Sequence, residues 1–99
     1  MYIVIRTDLS NFKIIIQAPH EVISQLADKI PLQLLASVGD RKSTLKAGEF
    51  YCKDKQSCFD LSYLFMNLLK TEHKCQLVTI SGASSQTGFE LMVFEQNLL

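Results

Sequence analysis

The residues whose types could do chemistry in this chain are two histidines, three cysteines and a few placed carboxylates. His20 follows Pro19. Proline is tolerated at the first position of a helix, where its missing N–H costs nothing, so a helix is expected to open there. Its first turn would carry His20 and Glu21, and the imidazole could reach the positive field of the helix end. His73 lies in the polar run 70–74 (Lys-Thr-Glu-His-Lys), which reads as a solvated connection. The two histidines are far apart in sequence and neither sits in a metal-ligand pattern, so no metal and no cofactor is expected. Cys52, Cys58 and Cys75 are odd in number and lack C-x-x-C spacing. They read as three free thiols in a reducing compartment, hence a cytoplasmic protein, and as small apolar side chains suited to packing. Asp60 precedes an apolar run as a helix-capping carboxylate would. Ser62 could carry a phosphate, although nothing in the sequence demands it.

These residues must be positioned by the elements around them. Residues 59–82 organise the chain. Leu61, Leu64, Phe65 and Leu68 repeat at i, i+3, i+4, i+7 and make one helical face. The polar connection 70–74 follows, and then 76–81 reads as a strand, with Val78, Thr79 and Ile80 in a row and Gly82 at its end. Upstream, 2–6 (Tyr-Ile-Val-Ile-Arg) is almost wholly apolar and reads as a strand buried on both faces. Residues 8–11 carry turn chemistry, and 12–16 is a second β-prone run, either a hairpin's return strand or an extended connection. The helix opened by Pro19 presents Val22, Ile23, Leu26, Ala27 and Ile30, and Pro31 stops it. A strand at 32–38, a polar turn at 39–42 and a strand region around 49–52 come next. Ser84, Ser85 and Gln86 offer caps for a terminal helix burying Phe89, Met92, Val93 and Leu99. The expected core is Val22, Ile23, Leu26, Leu61, Leu64, Phe65, Leu68, Val78, Ile80, Phe89 and Met92.

Ninety-nine residues with 47% apolar and 20% charged side chains describe one globular domain, 1–99. A formal net charge of zero argues against nucleic acid as a partner. The apolar runs are too short for membrane insertion, and the first residues lack the basic segment and cleavage site of a signal peptide. No internal repeat or linker interrupts the chain. Helices that interrupt the strands, with an adjacent pair in the middle, give an α+β fold with a small, mostly antiparallel sheet and helices on one face.

Over residues 57–99 the chain resembles HPr, the histidine-containing phosphocarrier family of the bacterial sugar phosphotransferase system. Leu64-Phe65-Met66 falls in that family's apolar helical run. Leu77-Val78-Thr79-Ile80-Ser81-Gly82 matches its strand, which reads roughly Val-Thr-Ile-Ser-Ala-x-Gly. Asp60 stands where the family's regulatory serine caps the helix. The resemblance implies an open-faced sandwich of order β-α-β-β-α-β-α, with a four-stranded sheet and three helices. It also locates a departure. The family's His-x-Arg-Pro run becomes Ile16-Gln17-Ala18-Pro19-His20, so Gln17 or Ala18 falls near the phosphorylated histidine, and the arginine is missing.

The expectation is therefore an HPr-like regulatory or interaction protein that lacks the phosphoryl-accepting histidine and is not an enzyme. Its protein partner would meet the surface around the first two helix N-termini, with Gln17, His20, Asp60 and Tyr63 in contact. Phe12, Phe50, Tyr51, Tyr63 and Phe94 cannot all face one small core, and aromatic residues left outside would mark such a surface. The alternatives are an active phosphocarrier that uses His20, or an unrelated small α+β binding module, dimeric through an exposed sheet edge.

Overall fold

The structure, a computed structural model, describes residues 1–36, 47–82 and 88–97. The expected turn at 39–42, the caps at 84–86, Leu99 and parts of the expected strands lie outside these residues. Strands β1 (Tyr2–Asp8) and β2 (Lys13–Gln17) form a hairpin. Asp8 shapes its turn: its carboxylate accepts bonds from the N–H groups of Ser10 at 3.0 Å and Asn11 at 3.1 Å, and from Asn11 Nδ2 at 2.8 Å. Helix α1 (His20–Ala27) follows Pro19, as the sequence predicts, and buries Val22, Ile23 and Leu26, but it ends at Ala27 rather than running to Pro31, so Ile30 is buried outside it.

A short 3-10 turn, Leu32–Leu34, leads to Leu35, which bridges Cys52. This replaces the strand expected at 32–38. Pro31 fixes the chain's entry to the turn, whose N–H groups bond three residues back: Leu34 to Pro31 and Leu35 to Leu32.

Strand β3 (Glu49–Tyr51) joins β2. Gly48 precedes it at φ +78, and its carbonyl accepts the Ile16 N–H at 2.8 Å. A Cβ there would lie 2.5 Å from the Ile16 carbonyl oxygen, so the close approach requires glycine.

Helix α2 (Lys55–Glu72) is longer than expected at both ends. Asp54, not Asp60, is its N-cap: the Asp54 carboxylate accepts the Ser57 N–H at 2.8 Å. Asp60 lies a turn inside and accepts from Gln56 Nε2 at 3.0 Å on the exposed side. The helix runs on through most of the expected connection 70–74, because polar residues on a solvated face cost a helix little and Lys70 suits its negative end.

Strands β4 (Cys75–Ser81) and β5 (Phe89–Gln96) complete an open antiparallel sheet of order β3-β2-β1-β5-β4. The expected terminal helix is thus a strand. Phe89, Met92 and Val93 fit a helical spacing, but Phe-Glu-Leu-Met-Val-Phe also has two apolar series at period two. Met92 and Phe94 face the core with Glu90, whereas Phe89, Leu91 and Val93 face away. Among the described residues the chain has five strands and two helices, in the order β-β-α-β-α-β-β. The α+β class and the antiparallel sheet agree with the sequence; the four-strand, three-helix order does not.

Both helices lie on one side of the sheet. Ile3, Ile5, Ile14, Ile16, Phe50, Met92 and Phe94 point toward them and meet Val22, Ile23, Leu26, Leu61, Phe65 and Leu69. The Phe50 and Phe65 rings pack tilted by 55° with centroids 4.9 Å apart. Full burial of each such side chain contributes about 1.5–3 kcal/mol. The expected core needs revision at its C-terminal end. Leu64 and Leu68 are half-buried, and Val78, Ile80 and Phe89 are exposed, because β4 is an edge strand and Phe89 is on the uncovered side.

Candidate functional site: the uncovered face of the sheet

A strand places alternate side chains on opposite faces, and antiparallel register sets them in rows. Ile15 of β2 lies beside Glu49 on one side and Arg6 on the other; Arg6 adjoins Leu91, and Leu91 adjoins Ser81. The next row is Gln17, Val4, Val93 and Thr79. Tyr51, Lys13, Asp8 and Phe89 form the row on the other side. Tyr2, Glu95 and Gln76 form the last. No described helix covers this face. Val4, Ile15, Leu91 and Val93 are half-buried against one another, while Tyr2 (63%) and Phe89 (56%) stand out. The strand 2–6 is therefore not buried on both faces as its composition suggested; only Ile3 and Ile5 are.

Charge is unevenly distributed over this surface. Lys13 Nζ pairs with Glu49 at 2.9 Å and lies 5.2 Å from the centre of the Tyr51 ring. The hydrogen bond to Glu49 holds the Lys13 ammonium above its ordinary range. The Asn11 side chain, with backbone bonds from Asn11 and Ser10, draws the Asp8 carboxyl down. Arg6 is exposed between Ile15 and Leu91 and has no ion pair among the described residues. It lines an open concavity of ≈ 350 Å³ with Asp8, Ile15, Phe89, Glu90 and Leu91.

Of the residues expected to meet a partner, Gln17 belongs to this face. His20 is the exposed first residue of α1. Asp60 and Tyr63 are exposed on α2, which covers the opposite side of the sheet. No hydrogen bond or ion pair joins the four among the described residues. The sequence reading missed Arg6, Leu91, Val93 and Phe89 as surface residues. The usable signal was the period-two alternation in 2–8 and 89–96, hidden because both faces carry apolar side chains.

Thr7 and Glu90 pair across β1 and β5 on the covered side, and both are buried. Burial pushes the Glu90 carboxyl up. The three cysteines are free and buried. A thiol–thiol hydrogen bond pushes Cys52 up and draws Cys58 down, and burial raises Cys75. Among the described residues no three of His, Cys, Asp and Glu gather as metal ligands, and no helix is long and apolar enough to cross a membrane.

Fold and surface define a two-layer α+β protein with one layer open. No family model, no curated protein and no solved structure matches this chain.

Proposed function

We propose that this protein works by binding a protein partner on the uncovered face of its sheet rather than by catalysis. The observation that carries this reading is an apolar surface of Val4, Ile15, Leu91 and Val93, flanked by Tyr2 and Phe89, around the exposed guanidinium of Arg6, which has no ion pair among the described residues. Contiguous apolar surface of this kind marks interaction sites, and aromatic residues with arginine are the usual energetic anchors of such sites. The partner that fits presents apolar side chains with a carboxylate placed for Arg6. An HPr-like regulatory protein without the acceptor histidine is one form of this reading, with Gln17 at the rim of the surface. A cytoplasmic location accords with the three unpaired thiols.

A photocrosslinking residue at Phe89 tests the reading, with Tyr63 as the comparison site. A discrete adduct from Phe89, lost in the Leu91→Lys background and absent from Tyr63, is expected. Adducts from Tyr63 alone would move the partner to α2.

A second reading rests on the exposed imidazole of His20 at the start of α1. As a phosphocarrier, the protein would gain one acid-labile phosphate from phosphoenolpyruvate and Enzyme I, and His20→Ala would abolish the gain. The expected result is no gain in mass, since the run 16–20 supplies no arginine to hold the phosphoryl group.

A further inference from the structure

The two edges of the sheet are built differently. β3, at one edge, is three residues long, and its Glu49 is tied to Lys13. Short strands, charges and bulges are among the devices by which edges resist pairing. β4, at the other edge, runs for seven residues, and 76–81 (Gln-Leu-Val-Thr-Ile-Ser) contains no charge and no proline. Val78 is 53% exposed and Ile80 43%. Among the described residues no backbone hydrogen bond reaches this strand from outside the sheet. Of these devices β4 carries the bulge between Leu77 and Thr79, and neither a charge nor a short length.

We infer that β4 pairs with β4 of a second copy of this chain, antiparallel about a two-fold axis near Thr79. A closed two-fold contact is isologous, so a charge near its axis would face its own copy; an edge without charge meets that condition. The sequence is also self-complementary about Thr79. The axis sets Val78 of one copy opposite Ile80 of the other and Thr79 opposite itself. Pairs of β-branched side chains and threonine pairs are favourable cross-strand partners. The two sheets then become one, and each uncovered face continues into the other. This inference uses the edge, and does not depend on what binds the face.

The test is the solution mass of the full chain by sedimentation equilibrium across the micromolar range. The expected result is twice the chain's 11.2 kDa. Thr79→Lys sets two ammonium groups face to face and is expected to give the single-chain mass, as is Thr79→Asp. Mixing the two variants should restore the doubled mass. Leu91→Lys, on the face and one strand in from the edge, should leave the dimer intact. Amide exchange in the wild type supplies a readout independent of variant folding: protection at 78–81 should rise with concentration. A wild-type monomer, a dimer that survives Thr79→Lys, or a dimer that Leu91→Lys dissolves would each overturn the inference.

Discussion

Thr7 and Glu90 face each other across β1 and β5, and neither the Thr7 hydroxyl nor either Glu90 carboxylate oxygen has a hydrogen-bond partner among the described residues. A buried polar group left without a partner costs about 1–3 kcal/mol, so this pair weakens the fold. Burial holds the Glu90 carboxyl above its ordinary value of 4.5. The folded state therefore prefers the neutral acid. Its contribution is intact below the unfolded value and is lost as pH rises through the folded one. Glu90→Met keeps an unbranched side chain and removes the charge. It should stabilise the protein by roughly 1–3 kcal/mol near pH 8, with the gain shrinking toward about pH 4. Urea unfolding at the two pH values measures this; a variant weaker than the wild type at both would contradict it.

Asp54, and not Asp60 as the sequence suggested, caps α2. The Ser57 hydroxyl and N–H hold the Asp54 carboxyl below the ordinary carboxylate range. A lowered carboxylate contributes stability that is present above its unfolded value and lost as pH falls through the folded one. Asp54→Ala should lower the melting temperature at neutral pH, and the loss should fade in acid. Asp60→Ala, which gives up only an exposed bond to Gln56, should change it little. A larger loss from Asp60→Ala than from Asp54→Ala would return the cap to Asp60.

Lys74 adopts φ 55 in the connection from α2 to β4. A side chain in this left-handed region is strained, and glycine is not. Lys74→Gly should therefore stabilise the fold by roughly 0.5–1 kcal/mol, the relief exceeding the added freedom of the unfolded chain. The neighbouring His73 carbonyl keeps its bond from Gln96 Nε2 at 2.9 Å. Thermal melts of the two proteins decide it; a lower midpoint in the variant would show that the lysine side chain matters more than its backbone.

The thiols should report their burial. Cys52, Cys58 and Cys75 are free and buried, so a thiol-specific chromophore should react with all three in denaturant and only slowly in the native protein. Rapid native labelling of any one would show that its site opens, and a missing thiol in denaturant would show a disulfide.

Much of this fold was legible where one period dominated. α1 announced itself through Pro19 and the face Val22, Ile23, Leu26, and α2 through Leu61 and Phe65. The 12–16 run proved to be the hairpin's return strand. Reading failed where apolar residues satisfied two periods at once. In β5, Phe89, Met92 and Val93 match a helix while Met92 and Phe94 match a strand, and pairing with two neighbouring strands decided between them. The candidate surface was hidden for the same reason. A strand with valine outside and isoleucine inside looks buried on both faces, and only the one-sided placement of the helices shows that it is not. Arg6, at the centre of that surface, gave a local hint of an outward face. Glu90 gave none, since an acid in an apolar run reads as exposed.

The face itself can be asked directly. Carbene footprinting of the chain in an extract of its own cells, compared with the purified protein, reads which side chains a partner covers. The account predicts protection of Tyr2, Phe89, Leu91 and Val93 in the extract, with Tyr63 and His20 labelled equally in both samples. Protection confined to Tyr63 and His20, or equal labelling at every one of these residues, would contradict it.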